Sequence, residues 1–407
     1  MSESLVIIGN GMAAARLVER LSTRALGRYA IAVIGEEPQL AYNRVLLSSV
    51  LANDVTVADT ELKPAGWWRD RGVTLLYGQA ATSVDRSLRR VKLASGATLP
   101  YSKLVFATGS RPILLPIEGR ELKGVMTFRD MRDVATLRNA GKCNAVVIGG
   151  GLLGLEAAYG LAKAGAKVTV VHLMDRLMER QLDAEAAAML KAAVESKGIE
   201  VLLNAETARF AGDNKVERVD LKGGRSFPAE TVVMAAGIAP NVALARSAGA
   251  SINRGIVVDA QMQTDIPGLY AIGECAEHEG RCVGLVEPAY EQATVLAETL
   301  TGGSALYAGS IPATNLKVTG VSVFSAGDFT GAAGTEQILL RDRGLGIYKK
   351  LVIANERLVG AVLFGDTVDG LWYLDLIRTG VPTERFRNEL AFGRALAERK
   401  VSLSMAA

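Results

Sequence analysis

The sequence predicts an α/β protein with two domains built on βαβ units and a small C-terminal α+β domain. Three observations predict it. Two β-branched runs each enter a glycine-rich turn and then a helical pattern, LVIIGNGMAA over 5–14 and AVVIGGGLLG over 145–154. Each helical pattern is followed by another strand pattern, Ile31–Ile34 and Lys167–Val171. After about Pro312 the composition changes, and four short β-rich runs follow one another.

Taken in order, the first unit reads as a strand ending at Ile8, a helix over Ala13–Leu21 and a strand over Ile31–Ile34. Thr74–Tyr77, Ala81–Asp85, Arg90–Leu93 and Leu104–Ala107 are short strands, with turns at Gly78, Ser87 and Ser95–Gly96. Pro112 and Pro116 mark a crossing segment. The second unit runs from its strand through a helix over Leu152–Ala164 to the strand 167–171, then strands at Val201–Leu203, Val216–Leu221 and Thr231–Ala235. Ile256–Val258 and Leu269–Ile272 are strands, and Ala289–Leu300 is a helix. Val318–Phe324, Glu336–Leu340, Tyr348–Ile353 and Arg357–Phe364 read as an antiparallel sheet closed by helices. The two glycine turns lie too far apart for a solenoid repeat. They fit two Rossmann-like three-layer dinucleotide-binding domains, the first made of 1–111 with 236–311, the second of 112–235, and 312–407 forming the third domain.

Composition narrows the function. The 407 residues hold 46 basic and 43 acidic side chains, a net charge of +3, which gives no electrostatic case for a nucleic-acid partner. Cys143, Cys275 and Cys282 form no C-x-x-C pair, which excludes a disulfide scaffold, a cysteine zinc site and an Fe–S cluster held by these residues alone. With two histidines, no metal site is expected. No apolar run is long enough for a membrane span, and the N-terminus lacks a signal-peptide pattern. The expectation is a cytoplasmic protein without a membrane partner.

Gly9-x-Gly11-x-x-Ala14 has the residue types a pyrophosphate turn requires. The first glycine makes the tight turn, the second lets the phosphates reach the backbone, and a small third residue lets helix meet strand. The helix N-terminus supplies free N–H groups and partial positive charge. Glu36 and Glu37 follow the second strand. Glu36, first after Gly35, is the preferred acceptor for the ribose hydroxyls of an adenosine; the alternative is a solvated loop. Gly149-x-Gly151-x-x-Gly154 is the stricter match. Its second strand ends at His172, where an acid that binds the 2′-hydroxyl is usual, so His172 either lines the adenosine pocket or packs at the strand end. Arg176 or Arg180 would face a 2′-phosphate, or either is a surface arginine. The choice between NADH and NADPH stays open. Two dinucleotide sites on one chain imply an electron relay, with one tightly bound flavin and one exchangeable nicotinamide.

Further segments carry a resemblance. GNGM at 9–12, ATGSRP at 107–112 and YAIGE at 270–274 resemble the three FAD signatures of the two-dinucleotide-binding flavoprotein reductases, with the second glycine turn between the last two. AYNRVLLSS at 41–49, GGLLGLEAA at 150–158, LMERQLD at 177–183, IGECA at 272–276 and LKVTG at 316–320 resemble the flavin module of the NAD(P)H nitrite reductase large subunit. Rubredoxin and ferredoxin reductases are more distant relatives. The resemblance runs from about residue 4 to about 375.

It implies that Gly9, Gly11, Met12 and Ala13 line the FAD pyrophosphate, Glu36 holds the ribose and Ala81 touches the adenine. Arg44 and Ser48 would lie beside the flavin, with Ala107, Thr108, Gly109 and Arg111 in the second signature. Gly273 and Glu274 would contact the ribityl-phosphate arm, although the family more often has Asp at the latter position. The helix beginning near Pro288 would aim its dipole at the flavin pyrimidine. Gly149, Gly151, Leu152, Leu153 and Gly154 would line the nicotinamide nucleotide, with Ala236 and Gly237 bordering the slot. Glu156 would sit where nicotinamide meets flavin. Ser49 replaces a lysine that pairs with this glutamate in several relatives. Glu156 and Arg44 are thus the candidate catalytic residues.

The expected reaction is hydride transfer from nicotinamide to FAD, with the protein supplying orientation and electrostatics. No cysteine stands at 42–46, where a reactive one would be expected in coenzyme A disulfide reductases and water-forming oxidases. Electrons must then leave for an Fe–S or haem protein. The chain ends at Ala407 without the Fe–S and sirohaem domains of nitrite reductase, so a separate electron-transfer component of nitrate or nitrite assimilation is expected. The alternatives are a rubredoxin or ferredoxin reductase of an oxygenase or detoxifying system, and a redox-sensing flavoprotein with little turnover. The basic run Arg394–Lys400 is either an acceptor-docking surface or a solvated helix face.

Overall fold

The computed structural model describes residues 2–25, 27–318 and 320–406. Met1, Leu26, Ala407 and Thr319 of the LKVTG segment lie outside the described residues. The chain divides into two compact units, 1–113 with 237–310, and 114–236 with 311–407.

The first unit is organised by a five-stranded parallel sheet in the order Leu269–Ala271, Lys103–Phe106, Glu3–Ile8, Tyr29–Gly35, Thr74–Tyr77. Leu5–Ile8 are all buried, as a central parallel strand covered on both faces requires. The helix Met12–Arg24 buries Ala14, Ala15, Leu17, Val18 and Leu21, a single stripe at helical spacing. The helix Val286–Leu300 packs beside it. Neighbouring strands depart on both sides of Glu3–Ile8, and its C-terminal end is the switch point where such sheets open a crevice. A three-stranded antiparallel sheet adds Thr98–Pro100, which the sequence reading lacked, to the two strands at 81–85 and 90–93.

The second unit repeats the parallel plan in the order Glu200–Leu202, Lys167–Val171, Asn144–Ile148, Thr231–Met234, Val125–Thr127. Its C-terminal sheet is antiparallel, in the order Ala313–Val318, Val321–Gly327, Arg357–Phe364, Ile347–Ala354, Glu336–Asp342. The strand expected over 318–324 is observed as Val321–Gly327, and Ala313–Val318, which the sequence reading lacked, pairs with it in a hairpin. Two helices absent from the sequence reading, Met131–Ala140 and Ala184–Glu195, begin at the side-chain caps Asp130 and Asp183.

Asp183 does more than cap. Its Oδ1 accepts from Ala186 N–H at 3.0 Å, and its Oδ2 accepts from the Tyr348 hydroxyl at 2.6 Å and lies 3.7 Å from Lys350 Nζ. Burial pushes the Tyr348 phenol above its ordinary range, and the Asp183 carboxylate adds to the shift. Arg341 pairs with Glu185 in the first turn of the same helix. Replacing Asp183 by Ala removes the cap and strips the carboxylate from a buried hydroxyl and a buried ammonium. The expected loss of stability is about 2–4 kcal/mol, measured by denaturant unfolding, with Asp183→Asn losing less.

Candidate functional site

Helix starts usually satisfy their orphan N–H groups with a side chain. The helices at Met12 and Leu152 do not. Their N-caps are Gly11 and Gly151, neither has a side-chain cap, and neither has an acidic residue in its first turn. A Cβ built on Gly11 or Gly151 would meet nothing within 4 Å, so both helix starts open on space.

The other glycines bring the backbone there. Gly9 and Gly149 have φ of +117° and +122°, and a side chain on either would run into the carbonyl of Ala107 or Ala235 on the neighbouring strand. Gly154 has no room for a side chain against Gly149 O. The residues thus fit a dinucleotide at each turn: an open cradle over the second glycine, N–H donors at its base, and close packing elsewhere.

In the first unit, Gly273 meets the same crevice with φ +78°, where a Cβ would lie 3.2 Å from Ala13 Cβ. Its N–H donates to the buried Gln292 side chain at 2.7 Å. The helix Val286–Leu300 also starts without a side-chain cap, and Pro288 in its first turn has no N–H to satisfy. Gly9, Gly11, Met12, Ala13, Ala107 and Gly273 therefore gather at the C-terminal edge of one parallel sheet. Thr108 and Asn241 exchange two hydrogen bonds, the Thr108 hydroxyl to Asn241 O at 2.7 Å and Asn241 Nδ2 to Thr108 O at 2.9 Å. Gly109 is left-handed beside them, and Arg111 donates to Pro240 O at 3.3 Å. Glu274 accepts from the Ser110 hydroxyl at 2.6 Å.

Arg44 is fixed by Glu37, not by Glu36. Its guanidinium pairs with the Glu37 carboxylate and donates to the Tyr42 hydroxyl at 2.8 Å, and that hydroxyl donates to Glu37 at 2.7 Å. Burial works to lower the Arg44 pKa, but Tyr42, Glu37 and Glu274 outweigh it and raise it above its ordinary value. Arg44 is a permanent cation with no proton to move. Glu36 stands apart from this cluster and is exposed at the strand end. Ser48 is half-buried in the short helix Leu47–Leu51. Ala81 lies in the separate antiparallel sheet.

In the second unit, Leu152, Leu153 and Gly154 form the first turn of the helix, and Glu156 is half-buried one turn on. Ala236 ends this unit, and Gly237 begins the returning part of the first. His172 is buried and clamped. Its Nδ1 accepts from Gly150 N–H at 3.0 Å, and its Nε2 lies 3.2 Å from Glu179 Oε2. Strand register relates this position to the first unit. Ile8 pairs with Ile34 and Ile148 with Val171, so His172 matches Gly35, and the counterpart of Glu36 is the exposed Leu173. Asn241, Gln292 and Glu179 escaped the sequence reading, and Glu37 was marked only beside the preferred Glu36. Of the three that escaped, only Glu179 lay in a motif already marked.

Two of the three thiols are poorly placed for chemistry. Burial pushes the fully enclosed Cys275 thiol up. Cys282 is pushed up to about 11 by burial and by the Glu277 carboxylate, to which it donates at 3.9 Å. Among the described residues no group of three His, Cys, Asp or Glu side chains is placed to hold a metal ion, and no helix is long and apolar enough to cross a membrane.

The chain belongs to the pyridine nucleotide-disulphide oxidoreductase family, whose model matches residues 3–295. Residues 312–381 match the rubredoxin NAD+ reductase C-terminal domain. It is an enzyme of that family, which implies FAD and NAD(P)H as cofactors. The chain is 46% identical over 371 residues to the nitrite reductase [NAD(P)H] of Bacillus subtilis, covering 90% of this chain and 46% of that protein. It is 42% identical over 376 residues to the assimilatory nitrate reductase electron transfer subunit of the same organism, covering 92% and 49%. The chain thus spans about half the length of these curated relatives. Among solved structures, the ferredoxin reductase for the CYP199A2 system of Rhodopseudomonas palustris superposes with a TM-score of 0.84 at 26% identity, covering 93% of this chain and all of that one.

Two outcomes follow from this geometry. Gly11→Leu places its side chain in open space at an ordinary φ, so the protein is expected to fold and melt near the temperature of the flavin-stripped parent yet purify without flavin. Near neutral pH, a chromogenic disulfide reagent is expected to react quickly with no thiol except Cys143, Cys275 and Cys282 appearing only on unfolding.

Proposed function

We propose that this chain is an NAD(P)H-oxidising flavin module that passes electrons to an Fe–S or haem acceptor, as the electron-transfer component of assimilatory nitrate or nitrite reduction. The observation that carries the proposal is the pair of uncapped glycine turns on one chain whose Cys275 thiol is buried and whose Cys282 thiol is raised in pKa, with Cys143 lying apart before the strand Asn144–Ile148. Two nucleotides have seats, and no dithiol is placed to take the electrons. The nitrite and nitrate reductase relatives support the choice of pathway.

FAD would be held by the first unit, where the starts of the two helices and the Gly273 turn converge. That is a more enclosing seat than the single helix start of the second unit, which suits an exchangeable NAD(P)H. When both are bound, the nicotinamide supplies a hydride and the flavin accepts it, releasing electrons to the acceptor. The chain's own residues orient and polarise. N–H groups at Gly11–Ala13 and Gly151–Leu153 hold the pyrophosphates. The uncapped start of Val286–Leu300 favours negative charge nearby. Arg44, fixed by Glu37, supplies a constant positive charge. Glu156 would order the nicotinamide end.

A second reading is a ferredoxin or rubredoxin reductase of an oxygenase or detoxifying system. It is favoured by the match of residues 312–381 and by the ferredoxin reductase structure. Stopped-flow mixing tests both against a slow redox sensor. NADH or NADPH is expected to bleach the flavin band rapidly, and the reduced protein is then expected to reduce an Fe–S protein faster than oxygen or a disulfide. Rapid turnover of a disulfide or oxygen with no Fe–S reduction contradicts the proposal. Gly151→Leu is expected to slow bleaching by about a hundredfold or more while flavin content stays unchanged.

A further inference from the structure

The two glycine turns differ by an exchange of bulk between matched positions. In the first unit Asn10 sits on the turn, and a Cβ at Gly35 would lie 2.6 Å from Asn10 Cβ. In the second unit His172 occupies the strand end, and the turn carries Gly150 instead. A Cβ there would lie 2.8 Å from the imidazole and 2.6 Å from Leu177. One step further out, Glu36 has Leu173 as its counterpart, 60% exposed. The second unit therefore lacks a carboxylate where the first has one.

The chain brings a carboxylate back. After Leu173 it folds over the turn and passes through Met178, which is buried with φ of +49°. A non-glycine residue is held there only when its surroundings demand it. Met178 N–H donates to Gly150 O at 3.0 Å. The Gly150 N–H is already given to His172 Nδ1. A ring nitrogen that accepts from an amide carries no proton, so the neutral imidazole has its proton on Nε2. That nitrogen points at Glu179, whose side chain is 24% exposed. The carboxylate is thus anchored through His172 to the phosphate turn itself.

We propose that Glu179, positioned by His172, receives the adenosine ribose hydroxyls of the nucleotide at the second turn and selects NADH over NADPH. The inference rests on reading that turn as a nucleotide seat. A carboxylate offers two acceptor oxygens to two vicinal hydroxyls, and it repels a 2′-phosphate. The nearby arginines stand beside carboxylates of their own. Arg176 bonds to Asp175 at 3.1 Å, and Arg180, 86% exposed, lies 4.0 Å from Glu179 Oε1.

Calorimetric titration of the flavin-loaded protein with NAD+ and with NADP+ tests this without turnover. The parent protein is expected to bind NAD+ about tenfold or more tighter than NADP+, the value of hydrogen bonds to a charged acceptor. Glu179→Gln is expected to weaken NAD+ about tenfold, leave NADP+ unchanged or tighter, and bring the ratio near one. His172→Phe is expected to lose the same ratio with Glu179 intact, and His172→Gln, which keeps a donor toward Glu179, to restore part of it. A purely structural role for His172 would weaken both nucleotides alike. A parent protein that prefers NADP+, or a Glu179→Gln protein that keeps the parent ratio, overturns the proposal while leaving the seat intact. Binding of neither nucleotide to the parent overturns the reading of the second turn as well.

Discussion

The structure depends on two helix starts whose backbone N–H groups have been left without a side-chain cap. Elsewhere in the second unit, Asp130 and Asp183 satisfy the same kind of groups. At Gly11 and Gly151 a capping oxygen would sit where a ligand must go. An unsatisfied helix start is costly when buried and useful when an anion arrives. The parallel sheets, the tight turns at Gly9 and Gly149 and the small residues behind them all deliver these donors to the open edge of a sheet.

The two seats share this principle and differ around it. The first adds a second uncapped helix, the Gly273 turn anchored on Gln292, and the Arg44–Glu37–Tyr42 cluster. The second adds a strap from His172 to Asp183, tied at one end to Gly150 and at the other to Tyr348 of the C-terminal sheet. That strap makes the nucleotide turn and the C-terminal sheet of the second unit share one length of chain. Fixed charge and enclosure thus collect in one unit, while the other has a lighter, clamped seat.

Much of this was legible in the sequence, because backbone constraints leave residue types behind. Glycines at 9, 11, 149, 151 and 154 announce turns that only glycine satisfies, and the apolar runs before them announce central parallel strands. Side-chain partnerships were less legible. Glu36 and Glu37 are adjacent and chemically alike, and only the fold shows that Glu37 takes Arg44. His172 reads as the replacement of an acid, and only the strand register shows that it matches Gly35 of the first unit and that Leu173 matches Glu36. The Glu179 contact depends on a left-handed Met178, a conformation that methionine does not advertise. The strand Ala313–Val318 escaped the reading because Thr314, Asn315 and Lys317 break its apolar pattern, while Val321–Phe324 is plainly β-rich.

The central claim is that each uncapped glycine turn is a separate nucleotide seat of different kind. The most direct measurement is stoichiometry: the flavin released on denaturing the purified protein, together with a calorimetric count of NAD+ sites on the flavin-loaded chain. The account predicts one FAD and one further NAD+ site per chain, with NAD+ binding displacing no flavin. Two flavins per chain, or NAD+ that binds only by displacing FAD, would contradict it.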